Sequence, residues 1–173
     1  MLMKKSLILI ILSVLITTGC YAQNKYPQGI SKIKGEQFRI SNSGLENDLI
    51  VVCNLKNKYA LGGPNPENPN APEYKREDIH FDVPAAKAII HMVLQGKKEK
   101  LQQNEDFVHV DLIFKRSGKL SDVAYAVKKN TLITLADIAE IDAQLRNTLR
   151  ATFTGNAYKE HRIFNYDFGS VRF

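Results

Sequence analysis

The sequence predicts an α+β fold, a two-layer sandwich in which a mostly antiparallel sheet carries two helices on one face. Residues 107–116 and 120–128 alternate between apolar and polar side chains, as strands with one buried face do. Residues 84–95 and 135–153 place apolar side chains three and four positions apart, which is the spacing of an amphipathic helix. Elements that each bury one side are expected to pack in two layers, leaving the other sheet face open to solvent or to a partner.

The segment before residue 78 is predicted to hold an N-terminal hairpin and a long loop. Strands are expected at 37–41 and 49–55, because the stretch between them is rich in turn-forming residues. Residues 23–36 lack periodicity and are interpreted as a flexible lead-in. Residues 62–77 form a Pro/Asn-rich loop, since prolines exclude helix and central strand there. A single domain over 37–173 is expected.

A short strand at 78–82 and a first helix follow. Pro84 opens this helix, and Gly96 with the lysine-rich stretch after it is expected to end it. The turn Ser117-Gly118 then joins the two alternating strands.

The second helix and the last strand complete the domain. Thr134 and Asp137 resemble a capping box, so the helix begins there and is expected to reach Phe153. The last strand is expected at 162–173, with a bulge at Gly169. From residue 78 the order is β-α-β-β-α-β, which matches a ferredoxin-like arrangement.

Residues 1–22 are predicted to be a signal peptide. Lys4 and Lys5 precede an apolar run at 7–16, which is shorter than a membrane-spanning helix, and small residues follow. Two outcomes stay open. Cleavage after Ala22 would release a soluble protein, whereas residues 17–20 resemble a lipobox and make Cys20 a lipidation candidate. The protein is therefore expected in the periplasm or at the outer membrane, touching a membrane only through Cys20.

Charge and cysteine content exclude several classes of function. The net charge is +6, or +4 without Lys4 and Lys5, and it is dispersed, so no nucleic-acid partner is expected. Beyond the signal peptide Cys53 is the single cysteine; it lies in an apolar run and is interpreted as a buried, unreactive thiol. No cofactor and no catalytic residue are predicted, because no phosphate-binding loop, nucleophile elbow or zinc-spaced cluster is present.

Two histidine–aspartate pairs are the candidate metal ligands. His80 with Asp82, and His109 with Asp111, each place imidazole and carboxylate donors on one strand face. Their two strands would lie ~9–10 Å apart in a ferredoxin-like sheet. Exposed positions of half-buried strands are therefore the favoured interpretation.

The hairpin 107–127 carries a family resemblance. Its alternating strand, Gly118 turn and returning strand with Leu120, Asp122, Val123 and Val127 resemble the first hairpin of TonB C-terminal domains, and the similarity extends over 107–173. The resemblance implies a small periplasmic interaction module. It implies no energy transduction, because the family's aromatic-proline element after the helix is missing.

These observations favour an exported, non-enzymatic domain that binds another envelope protein. The surface would be the open sheet face or the Pro/Asn-rich loop. Two alternatives stay open: a periplasmic hydrolase that uses His109 and Asp111, and a binder of a small ligand.

Overall fold

The computed structural model describes residues 26–44, 48–59 and 70–173. Eight strands follow along these residues: β1 (Gly29–Ile33), β2 (Glu36–Asn42), β3 (Leu49–Asn54), β4 (Ile79–His80), β5 (Phe107–Lys115), β6 (Leu120–Lys128), β7 (Thr152–Phe153) and β8 (Ile163–Arg172). Six of them form an open sheet in the order β1-β2-β3-β6-β5-β8, and every neighbouring pair is antiparallel. The predicted α+β class and antiparallel sheet are confirmed.

The N-terminal part contains one strand more than predicted. Strands β2 and β3 pair as the expected hairpin. The expectation of a flexible lead-in at 23–36 is wrong for 29–33, which form β1 and pair with β2 along their whole length. Lys34 and Gly35 both have positive φ, which is the backbone of a tight type I′ hairpin turn. Tyr26, fully buried, anchors the chain just before this strand and donates a hydrogen bond to the carbonyl of Ile133.

The ferredoxin-like order is wrong at its first and last strands. Strand β4 does not enter the main sheet but pairs with β7 in a separate two-stranded sheet. The hairpin β5–β6 forms as expected, but β8 pairs with β5, whereas a ferredoxin-like sheet would place this last strand beside the first strand of the unit. On the other side of this hairpin, β6 pairs with β3 from the N-terminal part of the chain.

Three helices accompany the sheet: α1 (Val83–Leu94), α2 (Lys98–Gln103) and α3 (Leu135–Thr148). The carboxylate of Asp82 caps α1 by accepting the amide of Ala85 at 2.8 Å. The capping box of Thr134 and Asp137 is present at the start of α3. The long helices α1 and α3 pack against each other.

Two helix ends differ from expectation. The lysine-rich segment after Gly96 does not end the helical region but begins α2, which is held by the fully buried Leu101. Helix α3 stops at Thr148 rather than at Phe153. After the helix the chain contacts the β5–β6 turn, where the amide of Ala151 donates to the carbonyl of Gly118 at 2.8 Å. Phe153 then belongs to strand β7.

The core lies between the helices and one sheet face. That face presents fully buried aliphatic and aromatic side chains, including Phe38, Val52, Val110, Phe114 and Tyr125, which pack with the apolar stripes of α1 and α3. Side chains at alternate positions point the other way. Among the described residues no helix covers that second face, so the sheet has one packed and one open side, as predicted.

The described part of the Pro/Asn-rich loop is anchored rather than freely extended. Tyr74 packs edge-on against Phe164, with ring centroids 5.1 Å apart, and its hydroxyl accepts the amide of Asn165. The buried His161 donates from Nε2 to the carbonyl of Pro72 at 2.9 Å. Residues 62–69 of this loop, the signal peptide 1–22 and Cys20 lie outside the described residues. No helix among the residues described is long and apolar enough to cross a membrane.

Candidate functional site on the open sheet face

Two rows of side chains run across the open face of the sheet. Residues directly opposite each other in antiparallel strands share a face, so the register defines each row. The first row contains Ile30, Arg39, Cys53, Ala124, Asp111 and Asp167. The second contains Ser41, Val51, Ala126, His109 and Ser170.

A pocket of about 290 Å³ lies in the middle of this face. Small side chains form its floor, Ala124 and Cys53 among them, because they leave the sheet surface low between longer neighbours. Arg39 and Lys58 lie on its wall as cations, and Asp111 lies at the other end. The pocket therefore combines an apolar floor with charged groups of both signs.

Two cationic side chains of this pocket have no side-chain partner among the described residues. Arg39 and Lys58 are exposed, and the side chain of neither forms an ion pair or hydrogen bond with another described residue. Ile30, on the same row beside Arg39, is 62% exposed and adds an apolar side chain to this end of the face. Apolar and cationic groups thus lie together at the β1 side of the face.

Cys53 is only partly buried, on the pocket floor, which corrects the expectation of a core thiol. Burial raises the pKa of its thiol to about 11, against the opposing charge of Arg39. A thiol with that pKa is almost fully protonated at neutral pH, and the thiolate is the nucleophilic form. The raised pKa gives a physical reason for the predicted low reactivity of Cys53. The predicted place of its side chain in the core was wrong.

The opposite end of the face gathers one histidine and two carboxylates. His109 Nε2 lies 3.6 Å from Asp111 Oδ1 and 3.4 Å from Asp167 Oδ1. One ligand atom from each of the three side chains lies within 4.8 Å of the others. On its other side the ring is held by Ser170, whose Oγ lies 3.2 Å from His109 Nδ1. The four side chains form one connected polar cluster.

A bulge in β8 creates this cluster. Gly169 has φ +85° and pairs with Val110, whereas the next residue of β5, Asp111, pairs with Asp167. Phe168 is thus the extra residue, and the predicted bulge at Gly169 is confirmed. The shift places Ser170 opposite His109 and Asp167 opposite Asp111, so that both face the open side.

Burial and neighbouring groups change the pKa of the Asp111 carboxyl group. Partial burial on the sheet raises its pKa, His109 opposes that rise, and the nearby Asp167 carboxylate adds to it. A raised pKa in a group that also lines a pocket is a common feature of functional sites.

The second histidine–aspartate pair is not part of this site. His80 lies on β4, outside the main sheet, and its Nε2 contacts Thr154 Oγ1 at 3.1 Å. Asp82 is the N-cap of α1. The structure therefore keeps His109 and Asp111 together as candidate ligands and assigns His80 and Asp82 local structural roles.

Five residues of the site escaped sequence reasoning: Ile30, Arg39, Lys58, Asp167 and Ser170. Asp167 alternates with Tyr166 and Phe168, and this pattern places it on the face opposite the aromatic side chains. Together with the bulge at Gly169, that pattern was a usable signal for Asp167. Finding Ser170 and Arg39 needed the strand register, which depends on tertiary pairing.

Comparison with known proteins identifies a solved structure with a similar fold. No protein-family model matches the chain, and no curated protein matches it. The structure is similar to the crystal structure of a DUF5043 family protein from Bacteroides uniformis ATCC 8492, with a TM-score of 0.60 and 11% sequence identity. The match covers 87% of this chain and 93% of that protein. At this identity the similarity establishes the shared fold, and the resemblance of 107–173 to TonB C-terminal domains stays a prediction.

Proposed function

We propose that the protein is an exported binding module of the bacterial cell envelope, and that it binds an acidic segment of another envelope protein on its open sheet face. Residues 1–22 would direct export, followed by release after Ala22 or by lipidation at Cys20. The binding role is non-enzymatic.

The observation that carries the proposal is a pair of cations on the pocket wall whose side chains have no partner in the part of the chain that the structure describes. Arg39 and Lys58 border the pocket without an ion pair among the described residues, next to the exposed side chain of Ile30. Complementary charge guides a partner to its site, and burial of apolar surface contributes affinity. An acidic segment with an apolar residue would satisfy both features at once.

Photo-crosslinking in the native cell tests which face is used. A photoreactive amino acid at Ser41 would lie on the open face, whereas one at Lys87 would lie on exposed α1. We expect a discrete crosslinked product from position 41 and none from position 87. Equal crosslinking from both positions, or from position 87 alone, would contradict the proposal.

A hydrolase is the second candidate, and the contact between Ser170 and His109 favours it. A serine within 3.2 Å of one imidazole nitrogen, with carboxylates near the other nitrogen, is the arrangement of a nucleophile, a base and an orienting acid. Asp111 and Asp167 are about half and two-thirds exposed, so this cluster is wetter than most active sites. Covalent labelling of Ser170 by a fluorophosphonate would make hydrolysis the better account.

A further inference from the structure

We propose that His109, Asp111 and Asp167 bind a divalent transition metal ion, with the ligand preference of zinc, on the open sheet face. The inference goes beyond the proposed partner binding and does not depend on it, because the metal alone can be measured. It extends the histidine–aspartate pair with a third ligand from β8.

The two histidine–carboxylate distances fit the coordination sphere of zinc. Two ligands that are each ~2.1 Å from a tetrahedral ion are about 3.4 Å apart. His109 Nε2 lies 3.4 Å from the Asp167 oxygen and 3.6 Å from the Asp111 oxygen. The three ligand atoms lie within 4.8 Å of one another, so any remaining gap between the exposed carboxylates would close by side-chain rotation as the ion binds.

The donor set suits a borderline metal ion. One imidazole and two carboxylates supply nitrogen and oxygen ligands, which zinc and its first-row neighbours accept, whereas calcium and magnesium prefer oxygen alone. The two aspartates are 54% and 68% exposed, so solvent can occupy the remaining position. Three protein ligands with one open position distinguish such a site from a closed structural zinc site.

Ser170 contacts the ring nitrogen of His109 that does not face the proposed metal ion. A metal-bound histidine usually bonds its second ring nitrogen to a neighbour, which fixes the ring and leaves the first nitrogen free to coordinate. Here the Ser170 hydroxyl lies 3.2 Å from Nδ1, so an Nδ1–H group would donate to Oγ while Nε2 faces the carboxylates. The hydrolytic arrangement needs the opposite direction, with the serine hydroxyl donating to Nδ1.

Metal binding would change the charge at one end of the pocket. Asp111 is both a ligand in this cluster and part of the pocket lining. A doubly charged cation would cancel the two carboxylate charges, leaving Arg39 and Lys58 to dominate the field along the face. An acidic ligand would then meet less repulsion at the Asp111 end.

Calorimetric titration of the purified protein with zinc chloride tests the site. We expect one zinc ion per chain, with affinity at least about a hundredfold lower in His109→Ala and Asp167→Asn. Ser170→Ala is expected to weaken binding about tenfold, as removal of a supporting hydrogen bond does at other metal sites. His80→Ala is the matched control, because His80 is an exposed strand histidine that contacts Thr154 and lies outside the cluster.

Circular dichroism of each variant separates loss of the site from loss of the fold. A folded wild-type protein that binds no zinc would overturn the proposal. Zinc binding that survives in folded His109→Ala, or that is lost in His80→Ala, would overturn it as well, because the ion would then lie elsewhere. Cobalt substitution adds a spectroscopic check, since a tetrahedral site is expected to give strong visible absorption that His109→Ala removes.

Discussion

Gly118→Ala is expected to lower the free energy of unfolding by about 3–5 kcal/mol, measured by urea denaturation. Gly118 has φ +78°, a conformation that costs other residues energy. An added Cβ would also overlap the carbonyl oxygen of Ala151. The backbone cannot easily retreat, because Gly118 donates to the carbonyl of Lys115 and accepts from the amide of Ala151, both at 2.8 Å.

Gly35→Ala is the matched control for this prediction. Gly35 has a similar φ of +82°, but no atom lies within 4 Å of the position its Cβ would take. We expect a loss of only about 1–2 kcal/mol there, from backbone strain alone. Equal effects at the two glycines would show that the contact with Ala151 has no energetic role.

Asp142→Ala is expected to destabilise the protein by about 3–5 kcal/mol, because it leaves the Arg146 charge in a largely enclosed position without its partner. Asp142 is 2% exposed and accepts hydrogen bonds from Arg146 Nε at 2.8 Å, Asn54 Nδ2 at 3.0 Å and the Tyr125 hydroxyl at 3.2 Å. Burial opposes the charge of Arg146, yet the bond to Asp142 raises the pKa of the guanidinium overall. Thermal or urea denaturation would measure the loss.

Glu140→Ala, in the same helix, provides the control. Glu140 forms an exposed ion pair with Lys34 at 2.6 Å, and exposed pairs contribute little to stability. We therefore expect the denaturation midpoint of Glu140→Ala to stay close to that of the wild type. If Asp142→Ala were equally mild, the buried network would not be a determinant of the fold.

The same network supports the binding pocket. Arg146 also donates to Asn57 Oδ1 at 2.6 Å, and Asn57 Nδ2 donates to the carbonyl of Val123 at 2.7 Å. Asn57 and Lys58 lie on the pocket rim. Loss of Asp142 should therefore loosen the rim as well as the core.

Much of the fold follows from local sequence patterns. Alternation in 107–128 predicts two strands with the correct buried face, and the capping box at Thr134 predicts the start of α3. These features depend on neighbouring residues, which the sequence displays directly. The bulge at Gly169 was predictable for the same reason. Glycine adopts a positive φ without steric cost, and the sequence shows directly where the glycine lies in the strand.

The errors arose where tertiary contacts decide the structure. Strand β1 is exposed at most positions and follows no apolar alternation, so only its pairing with β2 defines it. Helix α3 ends early because Ala151 bonds the β5–β6 turn, a contact from outside the helix. The place of β4 in a separate sheet depends likewise on its distant partner β7.

The site was predictable in part for the same reason. His109 and Asp111 alternate on one strand, so their common face was visible in the sequence. Their neighbours Asp167 and Ser170 come from β8, more than fifty residues later, and join them only through the shifted register. The cationic wall with Arg39 and Lys58 comes from a third part of the chain.

The most direct test of the open face as the functional surface is native mass spectrometry of the protein isolated from its own envelope. Three forms would be compared: wild type, Arg39→Glu in the pocket, and Lys87→Glu on exposed α1 as a charge-matched control. We predict that wild type and Lys87→Glu carry a second protein chain and that Arg39→Glu has lost it while remaining folded. A wild-type protein without any partner, or a partner retained by Arg39→Glu, would contradict this account.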